Sequence, residues 1–169
     1  ALTTTNVRAL STAQVNALET EQIEALTTAQ TVALSTAQVI ALATDQVAAL
    51  STASVQALSA SHIAALKTEQ VAALETDQIA ALTTTNVRAL STAQVNALTS
   101  EQAPALTSNQ VAAMETVDVR AMNTTAVSAL GTEQVVAMTS GQVAALSSTQ
   151  VSALSDTQLQ AIELSLIHI

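Results

Sequence analysis

The chain has 169 residues, 49% of them hydrophobic and none aromatic, and a net charge of −9 at pH 7. Four basic residues against thirteen acidic ones argue against binding to nucleic acids or to anionic membrane surfaces, which both require clustered positive charge. The absence of cysteine excludes disulfide bonds and thiolate metal sites, and no apolar run is long enough for membrane insertion.

The chain is an array of octads. Twenty copies run without insertion or deletion from Thr3 to Ile162, and Ser91–Leu98 (Ser-Thr-Ala-Gln-Val-Asn-Ala-Leu) is representative. Position seven is Ala in all twenty, position eight is Leu in sixteen, and position five is Val, Ile or Leu in eighteen. Position two is Thr or Ser in eighteen and position four is Gln in fourteen, whereas positions one, three and six vary. This division predicts that positions five, seven and eight face a core and that the position-two threonine has fixed neighbours.

Each octad carries the signals of a helix start. Ser91 and Gln94 are spaced as a capping box, in which the hydroxyl accepts an early backbone N–H and the glutamine reaches back to the cap. Leu90 and Val95 flank this cap as a hydrophobic staple. A start signal every eight residues predicts a short helix and then a bend. The predicted fold is therefore all-α: a solenoid, or superhelix, of very short helices, one per octad.

Two other folds compete with this one. In a continuous helix, about 100° per residue leaves about 80° of rotation per octad, so the Val and Leu positions would spiral around it. A β-solenoid is favoured by Val and Thr, but abundant Ala, Leu and Gln and the scarcity of Gly and Pro disfavour it. One octad buries too little apolar surface to offset its ordering entropy, so in either solenoid neighbouring octads must stack.

The array divides the chain into residues 1–162, a single repeat domain with complete octads over 3–162, and a non-repeat tail, residues 163–169. The chain begins with positions seven and eight of an incomplete octad and without Met, which predicts a segment of a longer array. Residues 1–18 and 81–98 are identical, as recent duplication of a block would produce. The positions predicted to build the repeat are, in two representative octads, Thr12, Gln14, Val15, Ala17 and Leu18, and Thr92, Gln94, Val95, Ala97 and Leu98.

Two octads depart clearly from the pattern. Thr31 stands where an aliphatic residue belongs, and Ala103 followed by Pro104 removes both the aliphatic side chain and a backbone donor. Because proline beyond the first turn of an α-helix costs about 3 kcal/mol or more, a break or kink is expected at Pro104.

The tail ends in Leu-Ser-Leu-Ile-His-Ile, residues 164–169. This string resembles the translation of read-through into a sequencing adapter in a metagenomic reading frame, which predicts that the tail is an artefact. The alternative is an apolar cap on the last octad.

Two groups of side chains are candidate ligand sites. His62 stands at position four, as a metal ligand or as a substitute for the usual Gln. Glu19, Glu21 and Glu24 form either a loose cation site or a solvated acidic face, and a Ca²⁺ site needs about six to eight oxygens in a fixed loop. The sequence predicts no catalytic, cofactor-binding or metal-ligating residue, and no enzyme.

Stacked octads would align the position-two threonines, such as Thr4 and Thr12, in one row and the position-four glutamines, such as Gln14 and Gln22, in another. In the structural interpretation, Thr caps helices and Gln bonds neighbouring turns. In the alternative, the regular rows bind an ordered lattice such as ice or a polysaccharide.

The octad Leu-[Ser/Thr]-Thr-x-Gln-[Val/Ile]-x-Ala resembles the short Ala-Leu-Thr-Thr-Gln arrays of very large repetitive bacterial proteins. The resemblance covers residues 1–162 and implies an exported, extracellular or cell-surface location. Together with the array, it favours a structural role, as a spacer, stalk or scaffold segment of a larger protein, with no cofactor. The expected partners are neighbouring repeats of a longer chain, and self-association would bury leftover apolar surface.

Overall fold

The computed structural model describes residues 3–167, and within that range it contains only helices, turns and bends. The predicted all-α solenoid is confirmed, and neither the β-solenoid nor the continuous helix is formed over those residues. The α-helices are α1 (Thr4–Ala9), α2 (Thr12–Asn16), α3 (Thr20–Glu24), α4 (Thr28–Val32), α5 (Thr36–Ala41), α6 (Thr44–Ala48), α7 (Thr52–Ala57), α8 (Ala60–Ala65), α9 (Thr68–Ala72), α10 (Thr76–Ala81), α11 (Thr84–Arg88), α12 (Thr92–Asn96), α13 (Ser108–Ala113), α14 (Thr116–Ala121), α15 (Thr124–Ala129), α16 (Thr132–Val136), α17 (Ser140–Ala145), α18 (Ser148–Ala153) and α19 (Asp156–Ile167).

Local hydrogen bonds set both ends of each short helix. At the start of α12, Ser91 is extended and its hydroxyl accepts the Gln94 N–H at 3.3 Å, while Gln94 Oε1 accepts the Ser91 N–H at 2.7 Å. At the end, the Leu98 N–H donates to the carbonyl oxygen of Val95 at 3.2 Å, which tightens the last turn. Because position eight is followed immediately by the N-cap residue of the next octad, a helix cannot extend further within eight residues.

The helices wind into a superhelix with between three and four octads per turn. Helices three octads apart pack against each other, as α2 with α5, α4 with α7 and α7 with α10. Hydrogen bonds from position four reach further back, to the octad four copies earlier, as from Gln94 to Leu66. Because each octad contacts both the third and the fourth octad before it, the turn closes between these two.

The aliphatic core lies inside this superhelix. Positions five and eight supply it, and they are almost fully buried in the middle of the array, with Val95 at 0% and Leu98 at 2% exposure. These side chains form one continuous cluster from Val7 to Ile162. The void within it measures about 10 Å³ and is lined by aliphatic side chains and Thr31, so the core is packed and is not a channel.

Two positions of the octad lie elsewhere than expected. The position-two residues begin the helices, and most of them are exposed, as Thr12 and Thr92 are. Some still have neighbours in the next turn, since the Ser108 hydroxyl donates to the carbonyl oxygen of Glu133 at 3.4 Å. Position seven is half-buried at the contact between turns and not in the core proper, as Ala97 is. Its carbonyl accepts side-chain bonds from the turn before, for example from Asn96 Nδ2 to Ala121 at 2.8 Å.

The octad with Pro104 keeps its place in the stack. Residues Ala103–Ala105 form a 3-10 helix with the proline near its start, so the α-helix is broken as expected. Gln102 still bonds to Val71 at 2.8 Å and to Leu74 at 2.7 Å, and Leu106 remains buried. The superhelix therefore continues through this octad in register.

The last helix, α19, starts in the final octad and runs on into the tail as far as Ile167. Leu164 is 61% exposed. His168 and Ile169 lie outside the described residues, and the interpretation of the tail as an artefact stays a prediction.

Candidate functional site

A ladder of buried glutamines joins successive turns of the superhelix. The Nε2 group of Gln94 donates to the carbonyl oxygens of Ile63 at 2.8 Å and Leu66 at 2.7 Å, which are positions five and eight of the octad four copies earlier. Position four makes the same bonds through most of the array. The glutamines that bridge turns in this way are Gln38, Gln46, Gln70, Gln78, Gln94, Gln102, Gln110, Gln134, Gln142, Gln150 and Gln158.

Each glutamine uses both ends of its amide. While Nε2 bridges the turns, Oε1 accepts the N–H of position one in its own octad, even where position one has no hydroxyl. The Ala43 N–H donates to Gln46 Oε1 at 2.8 Å, and the Lys67 N–H donates to Gln70 Oε1 at 2.8 Å. This explains why position one varies more than position four, since the glutamine closes the cap without help from position one.

His62 fills the place of a glutamine in this ladder. Its Nδ1 accepts the Ser59 N–H at 3.3 Å, and its Nε2 lies 3.0 Å from the carbonyl oxygen of Leu34, to which it donates in the tautomer protonated at Nε2. Both ring nitrogens are therefore engaged with the backbone. Within residues 3–167 no group of three or more His, Asp or Glu side chains is placed to hold a metal ion.

In one octad, position four is not glutamine, and another residue of the same octad makes the bonds to the earlier turn. Position four is Ala126, which is fully buried and has no side-chain donor. The cap residue Asn123 takes over the bridge: its Nδ2 donates to the carbonyl oxygens of Asn96 at 2.7 Å and Leu98 at 2.8 Å. Its Oδ1 also accepts the Ala126 N–H at 2.8 Å, as the hydroxyl of a serine or threonine does at this position in other octads. The cap and the bridge between turns thus survive the loss of glutamine.

In a second departure from the octad pattern, an unusual residue of one octad forms a hydrogen bond with an unusual residue of another. Thr31 at position five is fully buried, and its hydroxyl donates to the Ser54 hydroxyl at 3.1 Å. Ser54 stands at position four and is 1% exposed. Each residue breaks the octad pattern, but the two hydroxyls bond to each other inside the core. Each also has a partner in its own octad, since the Thr31 hydroxyl lies 3.2 Å from the carbonyl oxygen of Thr27 and Ser54 accepts from the Ser51 hydroxyl at 3.0 Å.

Asp118 also stands in place of glutamine at position four, but no other residue of its octad makes the missing hydrogen bonds to the earlier turn. It is 4% exposed, and its helix, α14, has no capping box. Burial raises the pKa of the Asp118 carboxyl above its usual value, and the nearby charge of Glu115 raises it further. A carboxylate offers no donor to the carbonyls that a glutamine would bond, so this octad is a weak point in the ladder.

The outer surface carries the charges and the position-two hydroxyls. Glu19, Glu21 and Glu24 are all exposed, as a solvated acidic face would be. The position-two residues of consecutive octads follow the curve of a turn, so a row along the axis contains every third octad, such as Thr12, Thr36 and Thr84. The glutamine row is buried from Gln38 onward and is unavailable to a ligand there.

The representative octads show how position in the stack decides exposure. In the second octad Val15 is buried, Leu18 is half-buried, and Thr12, Gln14 and Ala17 are exposed. In the twelfth octad Gln94, Val95 and Leu98 are buried, Ala97 is half-buried and Thr92 is exposed. The structural interpretation of the glutamine row, bonds to neighbouring turns, agrees with these contacts. The sequence did not predict that the bridging amides are buried or which octads they join.

A comparison with known protein families identifies the same repeat along the chain. The ALTTAQ repeat family matches residues 1–28, 17–52, 39–76, 52–84, 71–108 and 111–148. No curated protein matches the chain. Over residues 3–167, none of the helices combines the length and the apolar character that a bilayer-spanning helix needs.

Proposed function

The chain belongs to the ALTTAQ repeat family, and on that premise we propose that it is a structural spacer, a segment that holds other parts of a larger protein at a fixed distance. The observation that carries this proposal is the glutamine ladder, repeated from Gln38 to Gln158. It ties every turn to the one before through buried bonds. An array held in this way gains length with each added octad while its cross-section stays constant.

The chemistry of the surface supports the same proposal. Between residues 3 and 167 the titratable side chains form no cluster with metal-binding geometry, and the void in the core is too small for a ligand. Substitutions of the octad fall mostly on the exposed positions one, three and six. An architecture that tolerates a variable exterior around a constant interior suits a spacer, which has to keep its shape and not its surface.

The experiment is a length series. Copies of residues 83–114, which are four octads, are inserted once and twice after Leu82, and the maximum dimension is measured by small-angle X-ray scattering. Since packed helices lie about 8–10 Å apart, each added turn should lengthen the particle by about that distance. Growth with the cube root of chain length, as in a globule, would overturn the spacer.

The exposed position-two hydroxyls support a second candidate, a lattice-binding module for ice or a polysaccharide. Along one face, Thr12, Thr36 and Thr84 present hydroxyls at every third octad, although Ala60 interrupts them. An assay of ice recrystallisation compares the chain with a variant in which Thr36 and Thr84 are replaced by lysine. Equal, negligible inhibition by both would remove ice from the candidates, and a pull-down on insoluble polysaccharides would test the other lattice.

A further inference from the structure

A turn-to-turn bond of the glutamine ladder is missing in the interior of the array. From Leu42 to Leu82, every position-eight carbonyl oxygen accepts a side-chain hydrogen bond from position four of the octad four copies later. Within the described residues the Leu90 carbonyl oxygen accepts none, because the residue that would supply the donor is Asp118. Leu90 is 5% exposed and Asp118 is 4% exposed. A buried carboxyl group therefore stands where a buried carbonyl needs a donor.

The length of the Asp118 side chain does not explain the missing bond. Asn86, also at position four, has a side chain of the same length, and its Nδ2 donates to the carbonyl oxygen of Leu58 at 2.8 Å. Its Oδ1 accepts the Thr83 N–H at 3.0 Å. Asp118 makes neither bond, and α14 has no capping box. A carboxylate has oxygen at both ends, so it repels the carbonyl that an amide would bond, and a positive charge between them would remove that repulsion.

No basic side chain neutralises Asp118. Arg88, on α11, donates through Nε to the carbonyl oxygen of Ala113 at 3.0 Å, and Arg120, on α14, is exposed. A second acidic group, Glu115, stands at position one of the same octad. Burial raises the pKa of Asp118, and the negative charge of Glu115 raises it further. The surroundings of Asp118 thus hold an excess of negative charge and of oxygen atoms.

The oxygen atoms around Asp118 are ligands for a hard cation. In the register of the ladder, position four faces the carbonyl oxygens of positions five and eight four octads earlier, which here are Val87 and Leu90. In the described part of the chain, every side-chain nitrogen or oxygen that is sealed from solvent has a hydrogen-bond partner. Since Asp118 has no such partner, its carboxyl group is reachable from the surface. Glu115 is exposed, so its carboxylate has room to approach an ion beside Asp118.

We propose that Asp118, Glu115 and the carbonyl oxygens of Val87 and Leu90 bind one Ca²⁺ ion. The ion replaces the glutamine Nε2 group, because it joins a position-four side chain to the carbonyls of the earlier turn. Ca²⁺ takes about six to eight oxygen ligands in flexible geometry, so water completes the shell, whereas Mg²⁺ demands a near-ideal octahedron. The site differs from the groups of three acidic or histidine side chains that residues 3–167 lack, because two of its four ligands are backbone oxygens. The proposal is independent of the spacer function.

The test titrates CaCl₂ into the full chain at pH 7 and constant ionic strength by isothermal titration calorimetry. The wild type should bind one equivalent of Ca²⁺, and its melting temperature should rise by about 2 °C or more at tenfold excess over Kd. Asp118→Asn should lose both effects, because it removes the buried charge and supplies a donor to Leu90. The matched control, Asp77→Asn, removes the same charge from an exposed side chain and should behave as the wild type does.

Glu115→Gln tests the second carboxylate, and it should weaken Ca²⁺ binding about tenfold, since the number of charged ligands sets the affinity. Far-UV circular dichroism checks that each variant keeps its helices, and Glu115→Gln, at an exposed position, decides the outcome if Asp118→Asn does not fold. A wild type that binds no Ca²⁺ at millimolar concentration would overturn the proposal. Binding by Asp118→Asn as tight as that of the wild type, or equal stabilisation of the wild type by NaCl of the same ionic strength, would also overturn it.

Discussion

Gln94 and Leu66 are 28 residues apart in the chain, and the Nε2 group of one donates to the carbonyl oxygen of the other at 2.7 Å. The Oε1 atom of the same side chain holds the start of its own helix by accepting the Ser91 N–H. A single buried amide therefore joins local structure to the packing of successive turns.

Gln94→Ala should destabilise the array by about 2–4 kcal/mol, because it removes the cap and leaves the buried carbonyls of Ile63 and Leu66 without a donor. The matched control is Gln14→Ala, in an octad of identical sequence where the amide is exposed. This control should lose about 1 kcal/mol or less, the value of a cap alone. Urea denaturation followed by circular dichroism measures both, and equal losses would contradict a bridging role.

Asn123→Ser should cost about 1–2 kcal/mol, because serine can cap the helix but cannot reach Asn96 and Leu98 in the earlier turn. Adding Ala126→Gln restores the usual cap and bridge and should recover most of the lost stability. The rescue is the diagnostic result. If the double variant melts no higher than Asn123→Ser alone, Asn123 does not replace the missing glutamine.

Thr31 and Ser54 should be energetically coupled by about 1 kcal/mol, the net value of a buried hydrogen bond. In a double-mutant cycle, Thr31→Val and Ser54→Ala each remove the bond, so the double variant should be less destabilised than the sum of the two single variants. Thermal melting of the four chains measures the coupling. Additive effects would show that the two side chains contribute to stability independently and that their hydrogen bond adds nothing.

Asp118→Gln should stabilise the chain by about 1–3 kcal/mol at pH 7, because it removes a buried carboxylate and supplies the missing donor. The pH dependence follows from the raised pKa of Asp118. The unfolded chain ionises first as the pH rises, so the wild type loses stability relative to Asp118→Asn between 3.8, the ordinary value, and the higher pKa of the folded chain.

Melting temperatures of wild type and Asp118→Asn across this pH window give the measurement, and the carboxyl groups that do not interact with Asp118 cancel in the difference. Below 3.8 the two chains should differ least. A difference that does not change with pH would show that Asp118 titrates alike in the folded and unfolded chains.

The sequence predicted the parts of the fold that depend on neighbours along the chain. The capping box spans three residues, as from Ser91 to Gln94, so its spacing is visible in one octad. The constant Val95 and Leu98 likewise predicted a buried aliphatic seam, which the structure contains. One short helix per octad followed from these signals.

Bonds from glutamine to neighbouring turns were one interpretation of the sequence, but the octads that they join could not be read from it. These bonds span 28 to 31 residues, as from Gln94 to Leu66 and Ile63, and depend on how many octads close a turn, which no single octad specifies. For the same reason the exposure of Thr92 and the half-buried place of Ala97 were missed. A usable signal was present in the departures, since Asn123 replaces a serine or threonine in the octad where Ala126 replaces glutamine.

The chain returns past itself every three to four octads, and distances between spin labels test this winding directly. Cysteines introduced at the exposed Thr52, Thr68 and Thr76 are labelled in pairs and measured by pulsed electron resonance. Because α7 packs against α10, the Thr52–Thr76 distance should be shorter than the Thr52–Thr68 distance, although it spans more residues. Distances that rise steadily with separation, such as about 24 and 36 Å for a continuous helix, would contradict the superhelix.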